Sequence, residues 1–184
     1  MPVSEATYKQ LSLEDDENKW ELVCGQLRRK PAVTFAHTHT RFLLSNQLVA
    51  QLDLDAWFVH VEGPRLKLPD GQYFMPDLAV IPAALVTPHL DSQDSLEEYV
   101  EPLPLVVEVW SKSTGGYDVT TKLPGYRQRA DKEIWLIHPY ERWLRRWVRE
   151  GNGYREEQLR GGAVGITGLP GAVIDLDDLF RKRA

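Results

Sequence analysis

Apolar residues recur along this chain with two different periods, and the switches between them mark out its elements. From Thr38 to about Leu52, the positions Phe42, Leu44, Leu48, Val49 and Leu52 fall near the 3.6-residue repeat of an amphipathic helix, and Asp53 and Asp55 mark its exit. A shorter helix is predicted over Thr7 to Asp16. Between the two helices, Trp20-Glu21-Leu22-Val23 and Gln26-Leu27-Arg28 flank Cys24-Gly25, which is a hairpin signal. Segments of β type follow at Ala56 to Val61, at Arg65 to Leu68 after Gly63-Pro64, and at Asp77 to Ile81 after Pro76, and the sheet is expected to start with them. Residues 82 to 102 carry three prolines and a cluster of Asp, Ser and Glu, the composition of an insertion between strands.

The run Leu105-Val106-Val107-Glu108-Val109-Trp110 is nearly all apolar, as in a strand covered on both faces, and it is the expected central strand. A polar turn, Ser111 to Gly116, opens a helix from about Tyr117 to Ala130. Glu133 to His138 then supplies a second buried strand, stopped by Pro139, which completes a strand, helix, strand unit. Arg142 to Val148 and Gly153 to Gln158 flank Gly151-Asn152-Gly153 and predict a peripheral hairpin. Leu176 to Phe180 is read as a short terminal helix.

The length of 184 residues, 42% of them apolar and six of them Trp, suits one α/β domain with a single core, assigned to residues 1–184 with its central part over about 19–140. No apolar stretch is long enough to span a membrane, and MPVSEATYKQ lacks the order of a signal peptide, so a cytoplasmic location without a membrane partner is expected. Cys24 is the only cysteine, which excludes an internal disulfide and a CxxC zinc site. The balance of 22 basic against 27 acidic residues, a net of −5, argues against holding nucleic acid by bulk charge. Base is nevertheless concentrated at Arg28-Arg29-Lys30 and at Arg127, Arg129, Lys132, Arg142, Arg145, Arg146 and Arg149, as a phosphate-contacting face or simply a solvated one.

Glu108 is the most informative residue, because a carboxylate inside an apolar strand must be neutralised, paired or bound to a metal. Asp77, directly after Pro76, stands at the start of another apolar strand, and two strand carboxylates can chelate one divalent ion. Hard oxygen donors suit Mg²⁺ or Mn²⁺ rather than zinc. Lys122 lies fourteen residues past Glu108 on the following helix, from which its ammonium can swing back over the carboxylate end.

Met75-Pro76-Asp77, Val107-Glu108-Val109-Trp110-Ser111, Ser113-Thr114, Asp118, Lys122, Tyr126 and Ile134-Trp135-Leu136, taken in order, resemble the PD-(D/E)XK phosphodiesterase superfamily. More narrowly they are similar to a restriction-endonuclease-like family of unknown function expanded in cyanobacteria, over most of the chain from Trp20-Glu21-Leu22 and Gly25 to about Pro139. The resemblance implies a restriction-endonuclease-like core, with a mixed central β-sheet flanked by helices. It also implies that Asp77, Glu108 and the Val109 carbonyl hold Mg²⁺ (or Mn²⁺) and that a lysine positions or deprotonates the attacking water. Position 110, where the superfamily has that lysine, is Trp, so the resemblance moves the role to Lys122, with Lys112 in the turn as a weaker rival. Glu21 matches an early glutamate of the family and is either a further site carboxylate, as metal ligand or partner of Lys122, or an exposed hairpin residue. His138 replaces a usual aspartate. His37 and His39 open the first long helix, where a capping or surface role is expected, and Ser111, Thr114 and Asp118 are expected to cap the helix carrying Lys122. Tyr126 shares that helix face with Lys122 and reads as a core tyrosine or a hydrogen-bond donor into the site.

The implied function is metal-dependent hydrolysis of phosphodiester bonds in nucleic acid, DNA ahead of RNA, and the resemblance admits a homodimer. A second reading, from another class, is a module that kept the fold and binds nucleic acid or a protein without cleaving. It draws on the acidic net charge, the displaced lysine, and Trp143 and Trp147, which lie four apart and either face a partner or, as is commoner, pack onto the sheet.

Overall fold

The computed structural model describes residues 2–91 and 96–181, so residues 92–95 of the predicted 82–102 insertion lie outside it. Helix α1 (Glu5–Glu14) leads into the hairpin β1 (Trp20–Val23) and β2 (Gln26–Arg29), followed by α2 (Phe35–Val49). Then come β3 (Trp57–Val61), β4 (Arg65–Lys67), β5 (Tyr73–Phe74), β6 (Leu78–Pro82), α3 (Ala83–Val86), β7 (Glu98–Tyr99) and β8 (Leu105–Val109). Helices α4 (Gly115–Tyr117) and α5 (Leu123–Gln128) are joined by a π-helical turn, Asp118–Lys122. The chain ends with β9 (Glu133–His138), β10 (Trp143–Glu150), β11 (Gly153–Leu159), β12 (Ala163–Gly165), β13 (Val173–Asp175) and α6 (Leu176–Leu179). Among the described residues no helix is long and apolar enough to cross a membrane.

The central layer is a mixed six-stranded sheet ordered β11-β10-β9-β8-β6-β3, with β8 and β9 parallel and the other pairs antiparallel. Its inner strands read as continuous apolar runs because both faces are covered. Leu105 and Val107 of β8 pack with Leu44 and Leu48 of α2 and with Leu78, Trp135 and Ile137, whereas Val106 packs on the other face with Ala79, Ile134, Leu136 and Tyr126. Glu108 therefore belongs, by alternation, to the face covered by α5.

Three expectations change. The segment at Arg65 is not in the central sheet: β4 pairs with β5 and β7 in a second, five-stranded sheet ordered β2-β1-β5-β4-β7, seeded by the hairpin through Leu22 opposite Tyr73. The two-residue strands β5 and β7 are too short to show any period. The first long helix starts at Phe35, earlier than the apolar pattern, because Thr34 caps it by accepting the His37 N–H. Of the two readings of Trp143 and Trp147, packing onto the sheet is the one observed. Both are buried in the core of the α5 face, and the hairpin β10–β11 extends the central sheet rather than standing apart from it.

Cys24 and Gly25 close the first hairpin with φ of 48° and 73°, the left-handed pair that a tight two-residue turn requires. Gly125 has a different reason. A Cβ there would stand 2.4 Å from the Phe74 ring and 2.7 Å from Leu68, so its absence lets α5 lie close to the second sheet and brings Lys122 over the ends of β6 and β8.

Candidate active site

Asp77 stands where the pairing of β6 with β8 ends. Its N–H donates to the Val107 carbonyl at 3.1 Å, and its carboxylate Oδ2 accepts the Val109 N–H at 2.9 Å, so it grips the main chain on both sides of Glu108. The same Oδ2 lies 2.8 Å from His37 Nε2 on α2, and Oδ1 accepts from Lys30 Nζ, just past β2, at 3.1 Å. Burial alone would raise this carboxyl, but Lys30, His37 and Lys122 together hold it well below the usual carboxylate range. Asp77 is ionised, and the main chain of β8, His37 of α2 and Lys30 just past β2 fix it.

Glu108 projects toward the helix carrying Lys122. Its Oε1 accepts from Lys122 Nζ at 3.0 Å and from the Tyr126 hydroxyl at 2.5 Å. The Lys122 ammonium also donates to the Met75 carbonyl at 3.0 Å and pairs with Glu21 Oε1 at 2.9 Å. Glu21 is anchored in turn by the Met75 N–H at 2.8 Å and the Tyr117 hydroxyl at 3.0 Å. Its reading as an exposed hairpin residue is excluded, since it is 1% exposed. Pro124 accounts for the helix shape here. It has no N–H to donate to the carbonyl of Thr120, and the preceding turn widens into the π form that turns Asp118 and Lys122 inward.

Four buried carboxylates, Glu21, Asp77, Glu108 and Asp118, thus share two lysines, Lys30 and Lys122. Fully ionised, the cluster would carry two uncompensated negative charges in a poorly solvated place. Protons answer that excess. Burial pushes Glu108 well above its ordinary pKa and Asp118 up to about 6, Lys122 only partly offsetting it, with the neighbouring acids adding to the rise. Lys122, ringed by acids that outweigh its own desolvation, is held protonated well above the ordinary lysine value. Both Asp118 oxygens are enclosed without a hydrogen-bond partner, beside a cavity of about 10 Å³ bordered by Leu123, Tyr126 and Trp147, no larger than one water.

The sign of the Asp118 shift gives a test. A carboxyl raised from 3.8 to about 6 leaves stability untouched at pH values below both figures and costs progressively more as pH rises between them. Asp118→Asn is therefore expected to match wild type near pH 4 and to be more stable by about 1–3 kcal/mol above pH 7, in chelator. Denaturant melts at both pH values check this, and equal stability at high pH would contradict it.

Asp77, Glu108, Lys122 and Glu21 are brought together as the sequence implied, and Tyr126 is both core residue and site donor. Lys112 is exposed and outside the network. His37 is neither surface nor cap: it is 1% exposed and bonded to Asp77. Asp118 does not cap the helix, which begins after Thr114 without a side-chain cap, while Ser111 bonds Ser113 and Thr114 instead. Lys30 was visible only as part of a basic patch. Trp110 stacks on His138 at 4.2 Å, with no space for another atom between its indole and Gly115.

The second basic stretch is divided: Arg127, Lys132, Arg142 and Arg149 are exposed, whereas three of its arginines are matched within the protein. Arg129 is buried on Asp131 and on the carbonyls of Lys67, Tyr99 and Glu101, Arg146 lies between Glu133 and Glu157, and Arg145 pairs across the strand with Gln158 and Glu156.

The model of the Uma2 family, described as "Putative restriction endonuclease", matches residues 6–177. The chain belongs to this family. No curated protein matches it. Among solved structures, one described as "a putative nuclease belonging to DUF820 from Anabaena variabilis ATCC 29413" aligns with a TM-score of 0.78 over 97% of this chain and 98% of that one, at 16% identity. At that identity the likeness shows the fold. Uma2 membership and the shared architecture establish a mixed α/β, restriction-endonuclease-like protein.

Proposed function

We propose that this chain is a divalent-metal-dependent nuclease that hydrolyses phosphodiester bonds in nucleic acid, DNA in the first instance, with Asp77, Glu108, Lys122 and Glu21 at its centre. The observation that carries the reading is the excess of four buried carboxylates over two lysines, an arrangement costly to maintain for stability alone.

The donor set fits a hard cation: all the candidate ligands are oxygens, the Asp118 oxygens are enclosed with Lys122 no nearer than 4.0 Å, and the charge missing from the fully ionised cluster is that of one dication. Among the described residues no three acidic, histidine or cysteine side chains converge as a ready metal cage, so main chain and water would complete the coordination. Asp77, Glu108 and the Val109 carbonyl would hold Mg²⁺ or Mn²⁺. When bound, such an ion supplies a water of lowered pKa and neutralises charge on the phosphate.

The protein's own part follows from the network. Asp77 is kept ionised by Lys30 and His37 and is fixed to the main chain on either side of Glu108. Lys122 orients Glu108 and Glu21 and offsets negative charge beside them. Its raised pKa argues for positioning rather than for deprotonating water. Tyr126 holds Glu108 Oε1 from the other side.

A dication competes with protons for the same carboxyls, so Mn²⁺ is expected to raise the unfolding temperature clearly at pH 7.5 and much less at pH 5. Thermal melts with and without Mn²⁺ at both pH values check this. The non-cleaving module draws support from the occupation of all three Lys122 donors and from the lack of a ready cage. A melt that Mn²⁺ leaves unchanged at either pH favours it.

A further inference from the structure

The two lysines of the cluster are not equivalent. Lys122 is sealed, its side chain 3% exposed, and its three N–H donors are spent on Met75, Glu21 and Glu108. Lys30 uses two donors, on the Met75 carbonyl at 2.9 Å and on Asp77 Oδ1 at 3.1 Å, and its side chain keeps 12% exposure. It borders an open groove of about 340 Å³ that runs between the end of the first hairpin and Glu62, lined also by Lys19, Arg29, Pro31 and Val33. Glu17 adds one exposed carboxylate to the groove, whereas Glu62 brings little negative charge to it, because Arg41 and Lys19 both pair with it, and Arg29 is exposed there with Asn18 Oδ1 as its one partner among the described residues. The groove thus presents two available cations, and the inner one touches Asp77.

We propose that Lys30 is the catalytic residue that meets the substrate, donating its unused N–H to a non-bridging oxygen of the phosphodiester that enters along this groove, while Lys122 stays behind it as the clamp on Glu108 and Glu21. The inference rests on the nuclease reading. It assigns the approach of the nucleic-acid backbone to the Lys19–Arg29–Lys30 side of the molecule. An ammonium with a spare donor and a route to solvent can bind a phosphate oxygen without breaking the buried network, whereas Lys122 would first have to give up a carboxylate.

The test measures binding apart from cleavage. A short fluorescein-labelled DNA duplex is titrated in chelator across a salt series with wild type, Lys30→Met, Lys30→Arg and Lys122→Met, and cleavage of the same duplex is then followed in Mn²⁺. Lys30→Met is expected to weaken binding, to lower the slope of log affinity against log salt by about one phosphate contact, and to slow cleavage by about 100-fold or more. Lys30→Arg should keep the slope, as should Lys122→Met. Amine acylation of Lys30 in the wild-type protein, mapped by mass spectrometry, should be slowed by saturating duplex, which covers the case of a variant that fails to fold.

Wild-type affinity and slope in Lys30→Met, or acylation of Lys30 unaffected by duplex, overturns the proposal. If wild type binds duplex but cleaves in no metal, the nuclease reading fails while the slopes and acylation still decide the role of Lys30. Absence of binding by wild type overturns both.

Discussion

Glu108→Gln is expected to abolish Mn²⁺-dependent cleavage, a loss on the order of 10³-fold or more, and at the same time to leave the protein as stable as wild type or more so in chelator. The amide keeps an acceptor for Lys122 and Tyr126, so the hydrogen bonds at Oε1 survive. What disappears is one of the surplus buried carboxyls and, with it, a negative ligand. A residue kept for packing would lose stability on substitution and leave activity in proportion. Opposite movements of rate and stability separate the two, and they require only a cleavage time course and a denaturant melt. A Glu108→Gln protein that cleaves within a few-fold of wild type would remove Glu108 from the site.

Lys122→Met produces the largest expected loss of stability. It keeps the length of the side chain but strips Glu21, Glu108 and Asp118 of their shared cation, and breaking a buried pair by removing one partner costs about 3–5 kcal/mol. For a chain of this length, that corresponds to a fall in the unfolding temperature of roughly 6–20 °C at pH 7.5. The sign of the pH dependence follows from the partners. Carboxyls left without the ammonium take up protons more readily, so the deficit shrinks as pH falls toward 5. Combining it with Glu108→Gln should return part of the stability, because one of the stranded charges goes too. A deficit independent of pH and additive in the double variant would show that Lys122 contributes packing alone.

Much of this site is legible in the sequence because its inner strands are. Leu105 to Val109 and Ile134 to Ile137 are apolar runs without alternation, which only a doubly covered strand tolerates, and in the first of them a lone Glu108 stands out. Lys122 is harder: its helix is legible, its inward turn is not, since that depends on the π turn before Pro124 and on Gly125 lying against Phe74. Lys30 and His37 escape because their partner Asp77 is 47 and 40 residues away, and nothing local distinguishes a lysine bound to a buried acid from one in water. The arginine-rich stretch is partly legible. A hairpin turning at Gly151-Asn152-Gly153 sets Arg146 opposite Glu157 and Arg145 opposite Gln158, so these two are matched across the strand, while Arg127, Lys132, Arg142 and Arg149 stay exposed.

The most direct test of the central claim is cleavage of a mixed panel of labelled DNA and RNA, duplex and single-stranded, in Mn²⁺ and in chelator, with Asp77→Ala beside wild type. Cleavage by wild type in Mn²⁺, absent in chelator and absent in Asp77→Ala, is the predicted result. Cleavage that persists undiminished in Asp77→Ala, or a wild type that neither cuts the panel nor binds Mn²⁺, would contradict it.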